Sequence, residues 1–368
     1  MDAYFGVRRE NTRYLTGFVL GDGEEKVAGV SGQFFVCGDE VVVFADSRYR
    51  LQAAAECPDA RVEDVYGDFA VRWPELVKSL RRVGGGAAGS VRRVALEAGF
   101  VSHATWTRLV AAAPELELVP VEGWVEEQRQ VKEPSEIERI GAACAVADEA
   151  LTRLLPQIRP GVTEHELALA LEWEMRTHGA EALAFDVAVL AGPNAALPHG
   201  SPGSRPVEAG AVLLFDFGAQ VFGYRSDMTR TLFVGEPSAR DLEIYQLVAE
   251  AQSAAFAALQ AAVEAGERPI NRAIDAASRD PIAAAGHGDH YGHGLGHGIG
   301  LATHELPSVG RLAPEAPLPS PTVFSVEPGV YLDNETGVRI EDLVIFDAEA
   351  RRLERLTAFP REVTVVGE

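Results

Sequence analysis

The stretch VLLFDFGAQVFGYRSDMTRTLFVG, residues 212–235, reads as two β-type runs, each with an aspartate set among apolar residues. Strand interiors alternate apolar with polar residues or are apolar throughout, so Asp216 and Asp227 need a reason to be there. Gly218-Ala219-Gln220 supplies a turn signal between the runs, and a hairpin folded there brings both carboxylates to one face. Two later β-type runs, TVFSVEPGVYL (322–332) and GVRIEDLVIF (337–346), carry acids of the same kind, Glu327 ahead of Pro-Gly and Glu341 after Val338-Arg339-Ile340. Any one of these acids is explained as a surface-facing strand acid or half of an ion pair. Four buried side by side would repel and raise one another's pKa values. Two divalent cations set four positive charges against four carboxylates and accept oxygen ligands.

Such a pair also calls for nitrogen, and HYGHGLGHGIGLATHE (290–305) holds four histidines with five glycines between them. His293 and His297 are four apart, but Gly294, Gly296 and Gly298 make the helix of an HExxH zinc site unsuitable. The glycines instead let backbone pack close to a site while an extended strand or loop projects a few imidazoles. His297, glycine-flanked on both sides, is the candidate ligand; His293, His304 and His199 of PHG (198–200) are candidates for substrate or transition-state contacts. Two other readings stand beside this one: a solvated loop with incidental metal affinity, and a zinc site built from His293, His297 and His304. The zinc site leaves the four strand acids without a role.

At 368 residues, 47% of them hydrophobic, the chain is longer than one core usually supports, and two domains are expected. A net charge of -22 opposes binding to phosphate backbones or anionic lipid, so neither nucleic acid nor a membrane is expected as partner. Cys37, Cys57 and Cys144 are odd in number, widely spaced and free of any CxxC pattern, which points to a reducing compartment. The opening MDAYFGVRRE has no apolar signal core and no run of about 18 apolar residues occurs, so a cytoplasmic protein is expected.

Residues 1–128 are expected to form a smaller α/β domain. In it the β-type VVVFADS (41–47) and RRVALEAGF (92–100) mix with helical stretches such as WPELVKSLRRVG (73–84), and GGGAAGS (84–90) makes a turn or short loop. The boundary falls in the polar EEQRQVKEPSE (126–136), and residues 129–368 form the second domain. There an Ala-rich helix runs from Ile137 to about Leu155 with Pro134 near its first turn. A second helix in 160–179 opens on a Thr163/Glu166 capping box with a Val162/Leu167 staple and stops at Gly179. A third starts at SARD (238–241) and runs to about Gly266. Helices beside separate runs of strands predict an α+β domain with a mostly antiparallel sheet.

The ordered set DFG (216–218), SDMTRT (226–231), HGLGHGIG with THE (293–305), VEPGVY (326–331) and VRIED (338–342) resembles the metallopeptidases of the pita-bread fold. That family includes methionine aminopeptidases, aminopeptidase P and Xaa-Pro dipeptidase (prolidase). FDVAVLAGPNAALPHG (185–200) and NTRYLTGF (11–18) extend the resemblance toward its proline-specific branch. It implies a curved, mostly antiparallel sheet covered by helices behind a creatinase-like α/β N-terminal domain. It also implies two divalent ions (Mn, Co, Zn or Fe) on Asp216, Asp227, His297, Glu327 and Glu341, bridged by the hydroxide that attacks the peptide. Asp227 and Glu341 would bridge the ions, Glu327 would shuttle the proton, His304 would stabilise the oxyanion, and His199 and His293 would orient the substrate. Thr229 is a candidate to support a metal-bound carboxylate; Arg339, Tyr331 and Arg311 are candidates for substrate contacts, Arg339 alternatively for a bond to a ligand carboxylate. The resemblance implies a homodimer acting on proline-containing peptides, foremost as an Xaa-Pro dipeptidase, with aminopeptidase P action on longer peptides as the alternative. A non-enzymatic peptide-binding module on the same fold and a mononuclear zinc hydrolase are the more distant alternatives.

Overall fold

The computed structural model describes residues 1–20, 30–80 and 91–367, and its contacts divide the chain into two units, Met1–Gln128 and Arg129–Glu368. In the first unit a six-stranded mixed sheet has the order β4-β3-β2-β1-β5-β6. Its strands are β1 (Ala3–Gly6), β2 (Phe34–Cys37), β3 (Glu40–Ala45), β4 (Arg61–Asp64), β5 (Arg93–Glu97) and β6 (Glu117–Val121). The run in β3 is continuously apolar because both faces are covered. Val42 and Phe44 join a cluster around Phe5, Phe35 and Trp73, while Val43 and Ala45 pack with Phe18, Phe34 and Ala53. The helices are α1 (Arg9–Thr16), α2 (Arg50–Glu56), α3 (Phe69–Ser79) and α4 (His103–Ala112). Helix α3 begins a turn ahead of the predicted Trp73, because the Asp68 side chain accepts from Ala70 N and caps it there. The predicted continuation through residue 84 and the loop at 84–90 lie outside the described residues, apart from Leu80.

A single turn, α5 (Glu126–Arg129), straddles the division, and the second unit opens with α6 (Pro134–Leu154). Here the prediction was late by a turn: Pro134 occupies the first position and a Glu133/Glu136 capping box closes the N-terminus. Helix α7 (Glu164–Thr177) carries the predicted Thr163/Glu166 box, and α8 (Ala239–Ala265) runs from the Ser238 cap to Gly266, which is left-handed. Helix α9 (Asn271–Ala284) follows.

The strands are β7 (Ala182–Leu183), β8 (Ala188–Ala191), β9 (Val212–Phe217), β10 (Ala219–Val221), β11 (Tyr224–Arg225), β12 (Met228–Val234), β13 (Gly296–Gly298) and β14 (Glu305–Val309). After them come β15 (Thr322–Val326), β16 (Gly329–Leu332), β17 (Thr336–Arg339), β18 (Asp342–Asp347), β19 (Arg352–Arg355) and β20 (Val365–Val366). They form sheets β11-β10-β7, β20-β12-β9-β8, β14-β13-β15-β18-β19 and β16-β17. All these pairings are antiparallel except β12 with β20. On β9, Leu213, Phe215 and Phe217 pack under α6 and α7, while Val212 and Leu214 face α8 and the β16-β17 ribbon. Both faces of β9 are covered, and Asp216 is half-buried there.

Two expectations are corrected. Residues 218–220 are not the turn: Ala219 and Gln220 are in β10, and the chain reverses at Phe222-Gly223, whose φ values are 49° and 76°. A phenylalanine at positive φ is rare, so Gly223 is the only conventional cue for the turn in the sequence. The runs 322–332 and 337–346 are each two strands in different sheets, broken at Glu327-Pro328 and Ile340-Glu341. No helix among the described residues is long and apolar enough to cross a membrane, and Cys37, Cys57 and Cys144 are free and buried.

Candidate metal centre

On the β9/β12 ladder Asp216 lies directly opposite Thr229. Asp227, two residues before Thr229, therefore shares their face, as a hairpin requires, although the turn is not where the sequence put it. The glycines of the histidine segment have a steric reason. A Cβ on Gly296 would lie 1.8 Å from Ser325 O, and one on Gly298 would lie 2.1 Å from Leu306 O. Strand β13 is squeezed between β14 and β15, and only glycine on either side of His297 allows that approach. Glu327 and Glu341 sit at the two strand breaks, where the chain leaves its ladder and can turn a carboxylate inward.

Five side chains converge. His297 Nε2 is 3.3 Å from Glu327 Oε1 and 3.7 Å from Asp227 Oδ2. One ligating atom each from Asp227, His297 and Glu341 lies within 4.8 Å of the others. His297 Nδ1 is 3.1 Å from Gly298 O; a carbonyl only accepts, so Nδ1 carries the proton and the Nε2 lone pair faces the carboxylates. Ser325 Oγ accepts from His297 N and donates to Glu327 Oε1. Glu341 Oε2 accepts from Thr229 Oγ1 at 2.7 Å, but its Oε1 is buried with no hydrogen-bond partner. Asp216 is joined to the group through Arg339, whose Nη2 donates to Asp216 Oδ2 at 2.6 Å.

The electrostatics are those of acceptors crowded without protons to share. Burial, then repulsion from Glu341, Asp216 and Glu327, pushes the Asp227 carboxyl well above its usual range, and burial with Glu327 and Asp216 does the same to Glu341. Burial also raises Glu327, against the pull of His293 and Arg339. His293, His297 and His304 are all held below the ordinary imidazole value by burial and so favour the neutral form. A neutral imidazole lone pair, carboxylates of raised basicity and an orphaned buried oxygen form a donor set that fits divalent cations.

The remaining candidates, Arg311 apart, lie beside this group. Arg339 also donates through Nε to Thr229 Oγ1 and through Nη1 to the Tyr331 hydroxyl, so its guanidinium is spent on the ligand scaffold. Burial pushes Tyr331 up to about 12, and its oxygen lies 2.9 Å from His293 Nε2. The His304 ring is exposed and centred 4.2 Å from that of His297. His199 is exposed and follows Pro198, whose carbonyl accepts from Arg339 Nη1 at 3.4 Å. Arg311 is exposed beyond β14, and the hydrogen bonds and ion pairs described for the cluster do not include it.

Three supports escaped the sequence reading: Ser325, Gln252 of α8 and the buried Arg230–Asp342 ion pair, 2.7 Å apart. Asp342 had a visible cue in its place beside Glu341, and Gln252 had one as a long polar residue on an Ala-rich helix.

Comparison with known proteins gives the family. A model of metallopeptidase family M24 matches residues 138–348, and a creatinase/prolidase N-terminal domain model matches residues 1–131. The chain is 36% identical to an Xaa-Pro dipeptidase of Pyrococcus horikoshii over 67% of this chain and 68% of the relative. Among solved structures, an X-Pro aminopeptidase from Thermotoga maritima superposes with TM-score 0.84 at 34% identity, covering 100% of this chain and 98% of that one. An Xaa-Pro dipeptidase from Bacillus anthracis gives TM-score 0.86 at 31% identity, covering 99% and 95%. The chain belongs to metallopeptidase family M24, a pita-bread catalytic domain behind a creatinase/prolidase N-terminal domain, and is a metal-dependent peptidase.

Proposed function

We propose that this peptidase cleaves the bond before proline, using two divalent ions held by Asp216, Asp227, His297, Glu327 and Glu341. The observation that carries the metal reading is the buried, partnerless Oε1 of Glu341, on a carboxylate grouped within 4.8 Å with ligating atoms of His297 and Asp227. When bound, divalent ions would supply activated water at neutral pH and polarise the scissile carbonyl. Glu327, 3.3 Å from His297 Nε2 and held by Ser325, is assigned to proton transfer. His304, exposed beside His297, is placed to donate to the oxygen that gains charge. His293, fixed by Tyr331, and His199 orient the proline side.

Proline specificity is supported by the names of the relatives, dipeptidase and aminopeptidase alike. Our leading reading is an Xaa-Pro dipeptidase. Arg311, the one arginine between Glu305 and Glu315, is then assigned to the substrate carboxylate. Near-complete coverage of the Thermotoga structure favours the second reading, aminopeptidase action on longer peptides. Free, buried thiols support placement in the cytoplasm, and a homodimer belongs to the same reading.

The test is an assay of Xaa-Pro dipeptides against Xaa-Pro-Yaa tripeptides with Mn, Co, Zn or Fe added, together with elemental analysis. Two ions per chain and cleavage of dipeptides alone are expected. Cleavage of tripeptides alone moves the enzyme to the second reading, and a single ion per chain overturns the dinuclear assignment.

A further inference from the structure

Helix α8 spans two cores. Ile244, Tyr245, Val248 and Ala251 pack against the sheet that carries Asp216, whereas Ala255, Leu259 and Val263 pack with Phe324 and Val326 of β15 and with Val344 of β18. Gln252, buried at 1% exposure, sits where one core passes into the other. Arg361 Nη1 donates to Gln252 Oε1 at 3.2 Å, which fixes the orientation of the amide. Nε2 then faces three acceptors: Val326 O at 3.1 Å, Ile340 O at 3.1 Å and Asp342 Oδ2 at 3.0 Å.

Val326 and Ile340 are the residues immediately before Glu327 and Glu341. A carbonyl oxygen and the next N–H belong to one rigid peptide plane. Glu327 N donates to Leu295 O and Glu341 N donates to Thr229 O. Each plane that launches a glutamate is therefore gripped at both edges, with Gln252 on the carbonyl edge of both. The two glutamates lie opposite one another in the gap between the β15/β18 ladder, which ends at Val326 paired with Asp342, and the β16/β17 ladder, which ends at Gly329 paired with Arg339, so neither ladder's paired residues include them.

We propose that Gln252 is a positioning residue that sets the separation of the Glu327 and Glu341 carboxylates and thereby the affinity of the centre for its ions. The inference rests on the metal reading above. Gln252→Met keeps length and volume but removes the donor. Partners that orient ligands in this way typically contribute 10–100-fold to metal affinity, and a loss of about that size is expected in calorimetric titration of the metal-free full chain with Mn2+. The visible spectrum of the Co2+ form should change with it, reporting altered coordination. Gln260→Met, on the exposed side of α8, is the control and should bind as wild type.

If Gln252→Met lowers the melting temperature yet binds Mn2+ with unchanged affinity and an unchanged Co2+ spectrum, the amide is only a structural brace and the proposal fails. If wild type takes up no Mn2+, the metal reading itself fails, and this inference with it. Should Gln252→Met not fold, Arg361→Met, which frees the amide to rotate, is expected to weaken Mn2+ binding several-fold; unchanged binding in that variant overturns the proposal.

Discussion

Arg339 shows how much of this centre is settled by one side chain. Its three donating nitrogens reach Asp216, Thr229 and Tyr331, and Thr229 passes the connection to Glu341. Lysine has one compact ammonium and cannot span that fork. Arg339→Lys is expected to keep the fold but lower kcat/KM by roughly 10–100-fold, the range seen when a ligand's support is removed. Steady-state kinetics beside elemental analysis would check it, and a change below about threefold would remove Arg339 from the scaffold. Asp227→Asn, which trades a buried ligand charge for an amide, is expected to lose bound metal and hydrolysis together. Full activity in that variant would show the centre to be misassigned. The proposed ligands Asp216, Asp227, Glu327, Glu341 and His297 stand out in the sequence because a charge within an apolar run, or a histidine between glycines, is locally out of place. Ser325 and Gln252 were not, since a serine in a strand or a glutamine in a helix becomes unusual only through what it touches far along the chain.

Helices α7 and α8 were read well because their caps, Thr163 with Glu166 and Ser238 with Asp241, are signals four residues long. Thr163 and Glu166 exchange their bonds as the sequence implies. Thr163→Ala is expected to cost about 1 kcal/mol of stability by urea denaturation while leaving metal content unchanged. Strand limits were harder to read: Pro328-Gly329 marks the end of the run at Glu327, but the run holding Glu341 looks continuous and is cut there into β17 and β18. Strand β13 is the strictest element. With a Cβ at Gly296 only 1.8 Å from Ser325 O, Gly296→Ala must push β13 away from β15 and carry His297 off the carboxylates. That variant should retain helix content by circular dichroism and lose most of its Mn2+ affinity; normal binding would mean that β13 has slack the structure does not show.

At the scale of the whole molecule, the centre is a liability until it is filled. Asp227, Glu327 and Glu341 have folded pKa values above the unfolded carboxyl range, so the native state binds the extra protons. Stability of the metal-free protein is then lost as pH rises from the unfolded value through the raised folded ones. Divalent cations replace those protons, and the melting-temperature gain on adding Mn2+ should widen from pH 5 to neutrality. It should reach about 5 °C near neutral pH when free metal stands at roughly 100 times Kd. A gain that shrank with rising pH would contradict the assignment of these acids as ligands. Contacts divide the chain after Gln128, within the polar segment 126–136, and all five proposed ligand residues fall in Arg129–Glu368. The close approach at Gly296 and Gly298 has a further consequence, for anyone who would redesign the enzyme. With not even a methyl group admitted there, libraries aimed at new substrates gain nothing from randomising the floor of the centre. Diversity belongs instead at exposed side chains such as Leu197 and His199, which flank Pro198, whose carbonyl accepts from Arg339.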